Sequence, residues 1–197
     1  MGTEAALALR LGSESGLLRS RDAVAAGVSR TALSRLVASG DLVWIGRGVY
    51  QLPQARKVDP IAVLSASHPG VVVCLLTALA MHGLTTQSPR QVWIAIGNKA
   101  AVPRIEFPPL KVVRMNEANL NNSVQEMTLD GETVRVTSPA RTVADCFKFR
   151  SRVGLDVAIE ALRSAWESRA VTMDELWQAT EQTRMTNVMR PYMESLV

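Results

Sequence analysis

Residues 17–52 constrain the fold of this chain more than any other stretch, because two short helical segments are followed there by two short β segments. Ser20 is a candidate N-cap for the first helix, and Gly27 supplies the left-handed backbone conformation that would end it. Ser29 is placed to cap a second helix, which Gly40 would end. The sequence therefore predicts two helices joined by a tight turn.

The second predicted helix, residues 30–39, has one narrow apolar face. The apolar side chains recur at helical spacing and are Leu33, Leu36 and Val37. At about 100° per residue, Thr31 and Arg35 point away from that face, and Ser34 lies beside them. We expect the apolar face to lie in the core and the opposite face to be exposed.

A β-hairpin is predicted after the second helix. Residues 42–45 and 49–52 are rich in β-forming side chains, and the tip between them is Gly46-Arg47-Gly48. Helix, turn, helix and basic hairpin together make a winged helix-turn-helix, whose second helix fits a DNA major groove. A protein-interaction module of the same small fold is the alternative that this pattern leaves open.

The placement of charge favours DNA as the partner. Residues 1–57 contain eight basic and four acidic side chains, whereas residues 58–197 contain fourteen of each. The whole net charge of +4 therefore lies in the segment with the winged-helix pattern. Arginines of this segment, among them Arg19 and Arg21, are candidate contacts to DNA phosphates.

The rest of the chain predicts a second, mixed α/β domain. Residues 53–60 are polar and bounded by two prolines, which is typical of a linker. We therefore expect a winged-helix domain over residues 1–55 and an independently folded domain over residues 60–197. Strand-like segments come first, including a hairpin around Asp130-Gly131, and several helices follow. The predicted class is α+β: an N-terminal winged helix-turn-helix, then a mixed α/β domain ending in helices.

Composition places the chain among ordinary globular proteins, with 47% apolar and 20% charged residues. No apolar run is long enough for a membrane span, and no basic segment precedes the apolar residues 5–11 as it would in a signal peptide. Cys74 and Cys146 both lie in apolar segments and are expected to be buried thiols. We expect a cytoplasmic protein with no membrane partner.

The sequence lacks the motifs of common DNA-acting and nucleotide-dependent enzymes. None of the four lysines follows an acidic residue at the spacing of a restriction-type nuclease core, and no Asp-x-Asp pair or phosphate-binding loop occurs. The histidines, His68 and His82, do not form a metal-ligand pattern. We therefore expect no catalysis, no cofactor and no metal site. A DNA-acting enzyme with a site outside these motifs is the remaining alternative.

A charged cluster surrounds the helix predicted to begin at Ser138-Pro139. Its members are Arg141, Asp145, Lys148, Arg150 and Arg152. We expect the cluster to be exposed, and two interpretations are open. It forms either a set of surface salt bridges of small energetic value or a patch that binds a partner.

Four segments resemble the AbiEi antitoxins of bacterial type IV toxin–antitoxin systems, which act in abortive infection, a form of phage defence. They are SRTALSRLVASGDLVWIGRGVYQLP at 29–53, TALAMHGLTTQSP at 77–89, VWIAI at 92–96 and TSPARTVADCFKFRSRVGLDVAIEALR at 137–163. These segments are spread over most of the chain, so the resemblance is more specific than a winged helix alone.

The resemblance implies a transcriptional autorepressor that is also an antitoxin. Such a protein binds inverted repeats in its own promoter, which are double-stranded operator DNA, and it counteracts a nucleotidyltransferase toxin without a stable complex. The implied DNA contacts come from the second helix and the wing, and they are Arg30, Thr31, Ser34, Arg35 and Arg47. The implied antitoxin activity belongs to the C-terminal domain, where the charged cluster is the candidate patch.

Overall fold

The computed structural model describes residues 3–105 and 107–196, and the chain is divided between two compact units. The first unit contains the residues up to Gly70 together with Met127–Val134. The second contains Val71–Glu126 together with the residues from Arg135 onward. Helices and two separate sheets occur in the described residues, so the predicted α+β class is confirmed.

The first unit begins with a winged helix-turn-helix. Its elements are α1 (Thr3–Ser15), β1 (Leu18–Arg19), α2 (Ser20–Ala25), α3 (Arg30–Ala38), β2 (Val43–Gly46), β3 (Val49–Gln51) and α4 (Pro60–Ser67). The three strands form an antiparallel sheet in the order β1-β3-β2. Strand β1 has only two residues and was not expected from the sequence.

Local sequence explains where α2 and α3 begin and end. The Ser29 hydroxyl accepts a hydrogen bond at 3.2 Å from the backbone N–H three residues later, so Ser29 caps α3 as predicted. Gly27 and Gly40 have φ values of 95° and 81°, the left-handed conformation that ends each helix. The expectation for Ser20 was wrong, because Ser20 is the first residue of α2 and extended Arg19 occupies the cap position.

Helix α4 packs against the wing. A Cβ built on Gly46 of β2 would lie 2.7 Å from the Ser67 hydroxyl oxygen and 3.3 Å from a Val63 methyl group. A side chain at position 46 would therefore require the Ser67 and Val63 side chains of α4 to move. Although the sequence led us to place α4 in the second domain, it groups with the first unit.

The tip of a hairpin much later in the chain also belongs to the first unit. Glu132 in this tip is buried and forms an ion pair with the Arg19 guanidinium. Asp130 in the same tip forms an ion pair with Arg56. Two arginines of the predicted DNA-binding segment are therefore paired with carboxylates that lie more than seventy residues away in sequence.

These additions change the distribution of charge. The first unit has eight basic and seven acidic side chains and a net charge of +1, whereas the second has fourteen and eleven and a net charge of +3. Residues 1–57 have a net charge of +4, but the compact unit that contains them has a net charge of only +1. The boundary between domains over 1–55 and 60–197 stays a prediction, and a cut at residue 60 would remove Asp130 and Glu132 from the first unit.

The second unit combines most of a mixed sheet with helices. Its elements are β4 (Val72–Val73), α5 (Leu75–Met81), β5 (Val92–Gly97), β6 (Leu110–Met115), α6 (Glu117–Asn121), parts of β7 (Val124–Leu129) and β8 (Glu132–Thr137), α7 (Pro139–Lys148), α8 (Arg150–Val153), α9 (Leu155–Glu167), α10 (Met173–Thr183) and α11 (Thr186–Glu194). The strand order is β6-β5-β4-β8-β7. Strands β5 and β6 are parallel, and β4 is antiparallel to β5 and parallel to β8.

Helix α7 is the centre of the second unit. Ser138 caps it and Pro139 is its first residue, as predicted, and every residue from 140 to 147 is buried. It packs against α5, α9 and α10. Cys74 and Cys146 are fully buried, which confirms the expectation for both thiols. Burial raises the pKa of Cys146, and the nearby Asp145 carboxylate raises it further.

Candidate nucleic-acid interface

Helix α3 presents one polar face to solvent. Leu33 and Leu36 on the opposite face are 0% and 5% exposed and belong to the core of the first unit. The exposed side chains of the polar face are Arg30, Thr31, Ser34 and Arg35. This confirms the orientation of α3 that helical periodicity predicted, and two guanidinium groups and the Thr31 hydroxyl are exposed on the face that would meet a groove. The exposed Ser34 hydroxyl donates to the Arg30 backbone carbonyl oxygen at 3.1 Å.

A carboxylate from α1 holds the first turn of α3. One Glu4 oxygen accepts hydrogen bonds from the Ser29 backbone N–H at 3.1 Å and from the Ser29 hydroxyl at 2.7 Å. These two hydrogen bonds lower the pKa of Glu4, and the positive charge of Arg35 lowers it further. The start of the predicted recognition helix is therefore fixed both by its own cap and by α1.

The wing presents Arg47 at its tip, where the side chain is exposed. Gly48 has φ 66°, and its carbonyl oxygen accepts a hydrogen bond from the Ser20 backbone N–H at 2.7 Å. This bond ties the tip to the start of α2. His68 is the residue after α4. Burial lowers the pKa of its imidazole, and the positive charge of Arg47 lowers this pKa further.

The structure places the two remaining predicted contacts differently. Arg21 is exposed and lies beside Asp22 at 3.4 Å. Arg19 is largely enclosed, with 20% of its side chain exposed, and it pairs with Glu132. Burial lowers the pKa of Arg19, and the adjacent Arg21 lowers it further. Arg19 therefore has a buried partner within the protein, whereas Arg21 is exposed and is paired with a carboxylate that is itself exposed.

Sequence reasoning missed Trp44 in β2. Its side chain is 59% exposed, beside Val43 at 44%, although a large aromatic residue is usually buried. Trp44 is paired across the wing with Tyr50, which packs against the core. Successive side chains of a strand point to opposite faces of the sheet, so the exposure of both Val43 and Trp44 shows that neither face is covered at this part of edge strand β2. The apolar run at 42–45 gave no signal that distinguished an exposed from a buried position.

The charged cluster around α7 is not the exposed patch we expected. Arg141 and Asp145 are 2% and 0% exposed, so the expectation of exposure is wrong for both. The Arg141 Nε–H donates to Asp145 at 2.9 Å in a buried ion pair. Lys148, Arg150 and Arg152 are exposed. Two residues four apart on a helix can pair whether the helix face is exposed or buried. The spacing of Arg141 and Asp145 therefore could not show whether their ion pair is exposed or buried.

Two further results bear on function. The described residues contain no group of three or more histidine, cysteine, aspartate or glutamate side chains that could hold a metal ion. Among the described helices, none combines the length and the apolar character needed to cross a membrane.

The fold and exposed basic surface define the first unit as a winged-helix domain of the kind found in transcriptional regulators. Residues 6–53, which run from α1 to just beyond the wing, match the model of the family described as "Transcriptional regulator, AbiEi antitoxin". This segment, about a quarter of the chain, is similar to the regulator domain of that family, and the AbiEi resemblance is confirmed there. The resembling segments beyond residue 53 lie outside the matched range.

A crystal structure titled "Crystal structure of RV2827C protein from Mycobacterium tuberculosis" has a similar fold, with a TM-score of 0.65. The alignment covers 100% of this chain and 81% of that one at 14% sequence identity, so it supports the fold alone. No curated protein matches the chain in sequence.

Proposed function

We propose that this protein is a DNA-binding transcriptional autorepressor and the antitoxin of a type IV toxin–antitoxin system, acting in the cytoplasm. The observation that carries the proposal is the exposed face of α3, where Arg30, Thr31, Ser34 and Arg35 lie on a winged helix with Arg47 at its wing tip. An α-helix fits the major groove, and arginine there can bond to guanine through two hydrogen bonds. The AbiEi match supports both regulation and antitoxin activity.

Each side chain has a distinct role in this proposal. Arg35 lies opposite the buried face of α3, and we assign it the contact to a base edge. Arg21, Arg30 and Arg47 are exposed and are assigned to phosphates. Arg19 is not assigned a DNA contact, because it already pairs with Glu132.

The test of DNA binding is a fluorescence titration of the full-length protein with the DNA upstream of its own reading frame, at several salt concentrations. Three or four phosphate contacts for each bound copy give a slope of log K against log salt of about −3 to −4. Random duplex DNA of the same length is the control, and it should bind more weakly with a similar slope. A slope near zero would remove DNA binding from the proposal.

The antitoxin activity is assigned to surfaces other than α3 and the wing. Exposure limits the candidate patch to Lys148, Arg150 and Arg152. The expected partner is a nucleotidyltransferase toxin encoded beside this protein, counteracted without a stable complex. The test uses one cell that carries a promoter reporter and an inducible toxin.

In that cell the double variant Arg35→Ala, Arg47→Ala should lose repression and keep protection against the toxin. The variant Arg150→Ala, Arg152→Ala should keep repression and lose part of the protection. Protein levels measured in the same cells are the control for folding. If the Arg35, Arg47 variant also failed to protect at normal protein levels, antitoxin activity would depend on DNA binding and the separate assignment would be wrong.

A further inference from the structure

The second unit contains a small pocket dominated by hydrogen-bond donors. It has a volume of about 260 Å³, and its lining residues are Asn116, Asn119, Lys148, Gln182 and Arg184. The lining contains two cations and no carboxylate. Lys148 is the last residue of α7 and Arg184 follows α10, so two separate helices bring the cations to one recess.

The acceptor atoms of two lining carboxamides are already occupied. The Asn116 side-chain oxygen accepts the Asn119 backbone N–H at 2.8 Å, and the Gln182 side-chain oxygen accepts the Ser123 hydroxyl at 2.9 Å. Their amide groups remain as donors. No carboxylate in the described part of the chain lies within ion-pair distance of the Lys148 ammonium or of the other lining cation, the Arg184 guanidinium. The pocket therefore offers positive charge and N–H donors, and it has few free hydrogen-bond acceptors.

A buried arginine fixes one wall of this pocket. The Arg141 guanidinium donates to the backbone carbonyl oxygens of Asn119 and Asn122, each at 3.3 Å. Asp145 holds the other side of the same guanidinium. Helix α6, which carries Asn119, is thus held against α7 before any ligand arrives, and a rigid wall lowers the entropic cost of binding.

We propose that this pocket binds the phosphate or diphosphate group of a small phosphorylated molecule. Charge-assisted hydrogen bonds to phosphate oxygens satisfy the lining donors. The volume of about 260 Å³ is below that of pockets for drug-sized ligands, so it suits one or two phosphate groups. A nucleic-acid strand would need a basic groove extending over several nucleotides, whereas both lining cations here face one recess. The proposal is independent of DNA binding by α3.

The test is calorimetric titration of the full-length protein with inorganic phosphate and with pyrophosphate. Arg184 has φ 59°, in the left-handed region that asparagine tolerates, so Arg184→Asn removes the charge without new backbone strain. Arg169 has φ 57° and lies outside the pocket lining, so Arg169→Asn is a matched control. We expect Arg184→Asn and Lys148→Gln each to raise the pyrophosphate Kd by about tenfold or more, and Arg169→Asn to leave it unchanged.

Three results would overturn the proposal. One is the absence of saturable binding of either anion to the wild-type protein. Another is an equal loss of affinity in Arg184→Asn and Arg169→Asn, which would indicate a general charge effect. The third is tighter, Arg184-dependent binding of a single-stranded oligonucleotide than of pyrophosphate, which would make the ligand a nucleic acid. Promoter affinity measured on the same variants should not change, so failure here is distinguishable from failure of the DNA-binding proposal.

Discussion

Removing the buried guanidinium of Arg141 should destabilise the protein severely. Arg141 and Asp145 are 2% and 0% exposed, and Arg141→Ala would leave the carboxylate in the core without its cation. It would also remove the donors to the carbonyl oxygens of Asn119 and Asn122. Breaking a buried ion pair from one side costs about 3–5 kcal/mol, a large part of the usual free energy of unfolding of a domain.

Urea denaturation followed by circular dichroism measures this loss. Arg152→Ala is the control, because Arg152 is exposed and its guanidinium only lies over the Phe149 ring at 5.7 Å, so we expect a change within about 0.5 kcal/mol. Replacing both members of the pair, as in Arg141→Met with Asp145→Leu, should cost less than Arg141→Ala alone, because no unpaired charge remains. If Arg141→Ala lost less than about 1 kcal/mol, the buried pair could not have the role assigned to it.

The same variant should have a characteristic pH dependence. Burial raises the pKa of Asp145, while the Arg141 charge and hydrogen bond, and then Lys148, oppose that rise. A carboxyl group whose folded pKa is raised contributes stability that is present below its unfolded pKa and is lost as the pH rises through the folded pKa. Without Arg141 the pKa rises further, so the deficit of Arg141→Ala relative to wild type should be larger at pH 7 than at about pH 4.5. An equal deficit at both values would indicate lost packing alone.

Four other substitutions test the first unit. Arg35→Ala should reduce the free energy of binding to promoter DNA by about 1–3 kcal/mol and change binding to random DNA little, whereas Arg47→Ala should weaken binding to both DNAs alike. An equal effect of Arg35→Ala on both DNAs in fluorescence titration would refute its contact to a base edge. Trp44→Ala should weaken both DNAs by up to about 2 kcal/mol if the exposed ring packs against the duplex, and an unchanged affinity with a changed oligomeric state would instead make Trp44 a protein contact. Glu132→Gln should lower the free energy of unfolding by about 2 kcal/mol, because Arg19 loses its buried carboxylate partner and, among the described carboxylates, keeps only Asp22 at 3.9 Å. A loss below about 0.5 kcal/mol in urea denaturation would show that the buried pair contributes little.

Periodicity and caps predicted most of the elements correctly. The spacing of Leu33 and Leu36 identified the buried face of α3, and Ser29 marked its first turn. A further local signal is the Thr-x-x-Glu sequence at Thr172–Glu175, which forms a capping box at the start of α10. Such signals depend on residues close together in sequence, so they are visible without a structure.

The features that sequence reasoning missed depend on distant contacts or very short segments. Strand β1, with two residues, and α6, with five, are too short to show a period. The burial of Arg141 and Asp145 depends on helices that surround α7, and a charged pair on one helix is usually a surface feature. The pairing of Glu132 with Arg19 joins residues that no local pattern connects.

That pairing also sets an order of events during synthesis. A ribosome makes the chain from its N-terminus, and domains generally fold as their residues emerge. When residues up to Gly70 have emerged, the first unit still lacks Met127–Val134, and Arg19 has no carboxylate partner from the hairpin tip. The first unit is therefore complete only after about two thirds of the chain has been translated, so a truncated message would yield a first unit without the carboxylate that pairs with Arg19.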